Sequence, residues 1–327
     1  MPIRLAPRHR LLLRAAIGDP ATAAAAWAQW RAARAVHDAD QEEAGVMPLL
    51  ASRLPDLQAA ADNARLRGVR RHAVVRQFAI RTETTVAAAA LRAQGITPVA
   101  VKGLALAAAY GSERIRAIGD ADVLVPHDCA ERAVDALLDA GFELALGVRR
   151  EHVPVWAARY HAVPMRRPGR LEVDVHWRLS HQPAEAGPFT TPIFERALPT
   201  AEEPWLVPHI AHQLGIAVAH GWPSTSAAAL RMLVDVAVLL DQPDLDAALI
   251  DEVLGPHRLR LAAREAVATL AAEGVATAAA LLPRLPRVRM ADRVMATVLV
   301  ADRDGAGTQA LMAAALRRPD MLRPRPA

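Results

Sequence analysis

The chain has 327 residues, 53% of them apolar but only 4% aromatic, and 39 basic side chains stand against 35 acidic ones, a net charge of +4. A single cysteine, Cys129, excludes an intrachain disulfide, and no apolar run approaches the length of about 20 residues that spans a bilayer. The small, evenly spread positive excess gives no ground for nucleic acid as an obligatory partner, and the arginines interrupting residues 1–17 spoil a signal-peptide core, so a cytoplasmic protein with no membrane contact is expected.

Alanine- and leucine-rich sequence favours helix. The first one expected covers residues 20–34, with Trp27 and Trp30 three apart, on one face, as core anchors. Gly45 and Pro48 punctuate the next segment. Pro55-Asp56 then opens a long helix to residue 94. Its Arg65, Arg67, Arg70, Arg71, Arg76 and Arg81 read as a solvated face, or more sharply as side chains reaching a triphosphate or an acidic acceptor. Gly95 ends this helix, and residues 96–101 are predicted as the first strand. Gly103 opens a short helix to Tyr110 whose free amino-terminal amides suit phosphate oxygens. A loop over residues 112–118 carries Arg116, with Glu113 as a possible ion-pair partner on the surface.

A strand over residues 120–125 stops at Pro126, and an amphipathic helix over 129–140 ends at Gly141. Cys129 there is a small packing residue. Strands over 142–146 and 160–165 flank Arg149-Arg150-Glu151-His152. Residues 171–177 alternate strictly, so Leu171, Val173, Val175 and Trp177 share one face while Glu172, Asp174 and His176 share the other. Six prolines between residues 181 and 208 predict an extended connection around the sheet. Helices resume at His209. His209 and His212 lie one turn apart without the carboxylate or cysteine pattern of a zinc site, and read as packing or substrate-facing groups. In the apolar helix over 227–240, Asp235 is the odd residue; pairing with Arg231 at the i, i+4 spacing is expected, with capping or facing the site as alternatives. Further helix covers residues 246–286 with a break at Gly255-Pro256, and Arg-Pro repeats from Arg317 onward read as a frayed tail.

Asp120 and Asp122 stand two apart at the head of an apolar run, and residues two apart in a strand point to the same side. Two carboxylates that close resist joint ionisation unless a cation compensates them, and magnesium, which prefers oxygen ligands, is the usual one. Asp174 is the candidate third ligand. Lys102 is the only lysine among the 39 basic residues, and a compact ammonium beside Gly103 suits a phosphate.

The order Lys102-Gly103, Tyr110, Arg116, Asp120-Ala121-Asp122, and later Asp174-Val175-His176-Trp177, resembles the uncharacterised nucleotidyltransferase family of the DNA polymerase β-like superfold. The resemblance extends to Trp27, His37 and Met47-Pro48-Leu49-Leu50 before the site, to the Glu151-His152 pair, and to His220-Gly221-Trp222 with Asp235 after it. Lys102-Gly103 stands where the superfold commonly has Gly-Ser, and Ile216 stands where a histidine is expected one turn before His220. The resemblance implies an α+β fold: a small mixed-sheet catalytic core over residues 96–200, flanked by helical regions over 1–95 and 201–316, with a disordered tail over 317–327. It implies Asp120, Asp122 and Asp174 as catalytic ligands of two magnesium ions, with manganese as the alternative. Lys102, Gly103 and Arg116 would bind the phosphates of a nucleoside triphosphate such as ATP. An acceptor hydroxyl would attack the α-phosphorus and pyrophosphate would leave; Asp174 would also accept the hydroxyl proton. The acceptor stays open between a small molecule, a peptide and an RNA end. The alternative is a catalytically inactive nucleotide-binding regulatory or scaffold module, against which the retention of three like charges argues.

Overall fold

A computed structural model describes residues 3, 5–53, 60–111, 113–179, 190–200, 203–222, 226–243, 245–256 and 258–301. The expected tail, the opening of the long helix at Pro55-Asp56 and part of the proline-rich stretch lie outside these residues.

The chain opens with helices α1 (Pro7–Ile17), α2 (Pro20–Ala33), α3 (Gln41–Arg53) and α4 (Ala60–Ala93). Asp19 caps α2 by accepting from the amides of Ala21 and Thr22. Trp27 and Trp30 stack with centroids 5.3 Å apart in the core, as their spacing predicts. Helix α1 was not legible as a helix; Pro7 sits in its first turn, where a missing amide hydrogen removes no intrahelical bond. Gly95 ends the α4 segment at φ +72°, a conformation that costs glycine little.

Next come β1 (Val99–Ala100), α5 (Lys102–Tyr110), β2 (Ala121–Leu124), α6 (Ala130–Asp139), β3 (Glu143–Leu144), α7 (Val153–Arg159), β4 (Ala162–Arg166) and β5 (Glu172–His176). Every strand expected in this region is present, at reduced length. Helix α7 was missed because Pro154 reads as a breaker, whereas in the first turn it is tolerated. The proline-rich stretch is not merely a connection. It supplies α8 (Thr191–Glu195), β6 (Leu198–Pro199) and β7 (Leu206–Val207). Pro199 lies on the outermost strand, where a missing donor breaks few ladder bonds. The chain continues through α9 (Ile210–Gly221), α10 (Ser226–Leu240), α11 (Ala247–Leu254), α12 (Arg260–Ala272), α13 (Ala276–Leu281) and α14 (Met290–Ala301).

The seven strands form one mixed sheet in the order β3-β4-β5-β2-β1-β7-β6. Strands β2 and β5 pair parallel, as do β1 and β7, and the remaining neighbours run antiparallel. The fold is therefore α+β, a mixed sheet flanked by helical regions. One sheet face, with Ala121, Val123, Val173 and Val175, buries against α4, α6 and α7. Beneath the other, Val99, Val101 and Leu124 meet Ile193, Ile216 and Val253 from α8, α9 and α11. A third core joins α1, α2 and α3 to α9, α10 and α12. The alternation of β2 and β5 thus sends their acidic residues toward α9.

Candidate active site

The site starts where β1 turns into α5. Lys102, the first residue of α5, has φ +50°, a left-handed conformation that a side chain with a Cβ rarely adopts and that marks positions under functional constraint. Gly103 follows because there is no room for more: a Cβ there would stand 3.0 Å from Arg116 Nη1 and from Ile118 Cγ2.

Across the sheet, β2 and β5 run parallel with Asp122 directly opposite Asp174 and Leu124 opposite His176. Asp122 Oδ1 accepts from Lys102 Nζ at 2.6 Å and lies 2.7 Å from His176 Nε2. Lys102 Nζ is also 3.3 Å from that ring nitrogen. Asp122 and His176 are both 1% exposed. Burial alone would raise the Asp122 carboxyl, but the hydrogen bond from His176 and the charges of His176 and Lys102 outweigh it and hold the group well below the usual carboxylate range. Burial and the neighbouring ammonium lower the His176 imidazole, against the opposing pull of Asp122.

Asp174 has no such support. Its Oδ1 is buried and has no hydrogen-bond partner. Burial, then the charges of Asp122 and Asp120, push its pKa up to about 7. Asp120, exposed at the bend before β2, is raised as well, by burial and by Asp122. One ligand atom each from Asp122, Asp174 and His176 lies within 4.8 Å of the others, and Asp120 falls outside that group. A buried, unpartnered carboxylate oxygen within 4.8 Å of an ionised carboxylate is a donor set that suits a divalent cation. The residues present therefore fit the metal that the sequence implies, with His176 in closer company than Asp120.

A cavity of about 320 Å³ opens at Asp122, lined among others by Lys102, Gly103, Asp120, His220 and Asp235; Asp174 and His176 stand behind Asp122 and do not line it. Surrounding protein and then the Lys102 charge push His220 down to about 4, although the ring keeps an exposed edge toward the cavity. Arg116 also lines the cavity, but its guanidinium is committed. Arg116 Nε and Nη2 donate to the two oxygens of Asp235 at 2.7 Å each, and Tyr110 donates to the same carboxylate at 2.6 Å. Burial would lower the guanidinium, but Asp235 more than offsets it and raises the pKa above its ordinary value. Asp235 therefore pairs with Arg116 and not with Arg231, and Arg116 pairs with Asp235 and not with Glu113. Spacing along one helix could not anticipate a bond across 119 residues. Asp235→Ala leaves a nearly buried guanidinium without its anion, so it should lower stability by about 3 kcal/mol in denaturant titration. The joint replacement Arg116→Met/Asp235→Leu should recover much of that loss; no recovery would show that the pair is not the cause.

Other sequence candidates lie elsewhere. His209 caps α9 through the amide of Ala211, and His212 sits 2.8 Å from Glu252, so both are structural groups. Glu151 is exposed in a short turn and pairs with Arg149. A second cluster, His9, Asp40 and Glu43, is the start of α3: Asp40 and Glu43 exchange backbone bonds as a capping box, and Arg8 and Arg34 supply the positive charge. His176, His220 and Tyr110 are the site groups that residue-level reading left without a role, and Asp235 was given the wrong partner. The signal for His176 was present, since alternation sets it on the Asp174 face.

The sequence profile of a family described as uncharacterised nucleotidyltransferase matches residues 41–275. That span takes in the whole sheet, Lys102, the three carboxylates and Asp235. No curated protein matches the chain.

Proposed function

This chain belongs to the uncharacterised nucleotidyltransferase family, and on that premise we propose that it moves a nucleoside monophosphate from a nucleoside triphosphate to an acceptor hydroxyl, releasing pyrophosphate. The observation that carries the reading is the register of Asp122 against Asp174, with an unpartnered Asp174 oxygen beside the chain's lone ammonium.

In this reading Asp122 and Asp174, with Asp120 at the cavity lip and His176 behind, hold divalent magnesium or manganese. When bound, such an ion neutralises charge on the reacting phosphate and on the entering and leaving oxygens. The protein's own residues do the rest. Lys102 Nζ, at the end of a flexible stem, moves from Asp122 to a phosphate oxygen. The free amides at the start of α5 face the same oxygens, with Gly103 giving them close approach. Arg116 keeps its fork on Asp235, which balances its charge, so contact with the phosphates falls to Lys102 and the amides. His220, neutral at pH 7, faces the space left for the acceptor.

One observation favours a second reading, a nucleotide-binding module without turnover: Lys102 already neutralises Asp122 at 2.6 Å. Incubation with magnesium and each α-labelled triphosphate separates the two. Transfer predicts pyrophosphate release and label on an acceptor in cell extract or on the protein itself. Saturable binding with neither product would overturn the transfer reading and leave the binding module.

A further inference from the structure

Many exposed arginines in the described structure answer a carboxylate or a carbonyl. Arg8 meets Asp40, Arg10 and Arg14 meet Glu273, Arg150 meets Asp135, and Arg196 meets Glu252. Helix α4 gathers four that do not within seven residues. Residues 64–82 hold six arginines and no aspartate or glutamate. Arg65, Arg67, Arg70 and Arg71 are exposed and make no hydrogen bond or ion pair among the described residues. On the same outward side stand Val74, Val75 and Phe78, which are 43%, 61% and 74% exposed. At the helical spacing, Arg67, Arg71, Val74, Val75 and Phe78 form one stripe opposite the buried Ala73, Ile80 and Leu91. Exposed arginines without a partner also stand near Met290, at Arg284, Arg287 and Arg289, but the exposed aromatic ring among the described residues is Phe78.

The helix also leads somewhere. Arg76 donates to the carbonyls of Ile118 and Gly119, and Gln77 donates to that of Arg116. These bonds tie α4 to the loop that delivers Asp120 to the cavity lip. Arg76 and Gln77 lie off the stripe by the helical spacing, so a ligand on the stripe rides the helix that holds the site loop without facing the cavity.

We propose that the outward face of α4 binds single-stranded nucleic acid, with arginines on its phosphates and Phe78 stacked on a base. Unpaired guanidinium groups interleaved with an exposed aromatic ring match the chemistry of a strand whose bases are open to stacking. A duplex hides its base faces and gives Phe78 nothing to stack on. An acidic peptide would answer the arginines but not the flat ring. The chain's own residues 302–327, with five arginines against three aspartates, do not supply the opposing charge.

The test is fluorescence anisotropy on the full-length protein with a labelled 20-nucleotide single-stranded RNA, the same sequence as a duplex, and polyglutamate, across a salt series without triphosphate. The single strand is expected to bind most tightly, with an affinity that falls as salt rises at a log–log slope of about −0.7 per phosphate contacted. Arg67→Glu/Arg71→Glu should weaken binding by about tenfold or more and flatten that slope. Phe78→Ala should weaken it about fivefold or more with the slope unchanged. Circular dichroism on each variant checks that α4 is retained. Polyglutamate or duplex binding as tightly as the single strand would overturn the assignment, and so would a charge reversal without effect. This inference goes beyond the transfer reading and does not need it: Asp122→Asn should leave oligonucleotide binding unchanged even where transfer is lost, so the two ideas fail separately.

Discussion

Asp122→Asn is expected to lower nucleotide transfer by about 10³-fold or more, read as label moved per unit time from an α-labelled triphosphate. An amide keeps the shape of the carboxylate but not its charge. It can still accept from Lys102 or His176, so the packing of β2 against β5 survives. What it loses is the anion at the centre of the site, the one carboxylate that its neighbours hold firmly ionised. Two effects on stability oppose each other. Lys102 and His176 lose an anionic partner, while Asp120 and Asp174 are freed from the charge that raised them. The melting temperature should therefore shift little compared with the loss of activity. Full transfer in a folded Asp122→Asn protein would remove this residue from the chemistry.

Asp174→Asn should act in the opposite directions on stability and on transfer. The folded-state pKa of Asp174, about 7, lies above the ordinary aspartate value of 3.8. The folded protein thus holds a proton between these two values that the unfolded chain has released. Stability conferred by that proton falls as pH rises from about 4 to about 7, and above 7 the full cost of an ionised, poorly solvated carboxylate remains. Asp122 adds no slope in that window, because its folded pKa is depressed and its contribution is complete above 3.8. Asparagine in place of Asp174 should remove this component of the slope and raise the stability of metal-free protein at pH 8 by on the order of 2 kcal/mol, allowing for the solvent that reaches the group. The same change should cut transfer by about 10²-fold or more. Magnesium should flatten the wild-type slope too, since the ion competes with the proton. Melting curves from pH 4 to 8, with and without magnesium, report this as the difference between wild type and variant, because His220, lowered to about 4, gives both proteins an opposing slope; a metal-free difference that does not change with pH would contradict it.

The reach of the sequence followed the range of the interactions. Period-two alternation over residues 171–177 is local, and it correctly separated Val173 and Val175 from Asp174 and His176. The Trp27 and Trp30 face and the Gly95 stop are local too. Strands β6 and β7 were invisible because two-residue strands carry no periodicity, and β7 exists by pairing with a strand about 100 residues earlier in the chain. At the site, the juxtaposition of Asp122 and Asp174 could be anticipated from alternation plus resemblance. The bond from Arg116 to Asp235 could not, since it depends on how α10 packs over the sheet. The prominence of His176 over Asp120 depends on parallel register, which sets His176 opposite Leu124 and within reach of Asp122.

The carboxylate shared by Tyr110 and Arg116 has a consequence for how the molecule comes apart. Asp235 belongs to the helical core around Trp30, whereas the loop it grips leads straight into β2. A ruptured pair would strand a charge in whichever half stayed folded, so neither half gains by surviving the other. The sheet and the helical bundle should consequently melt in one transition, with calorimetric and van't Hoff enthalpies equal.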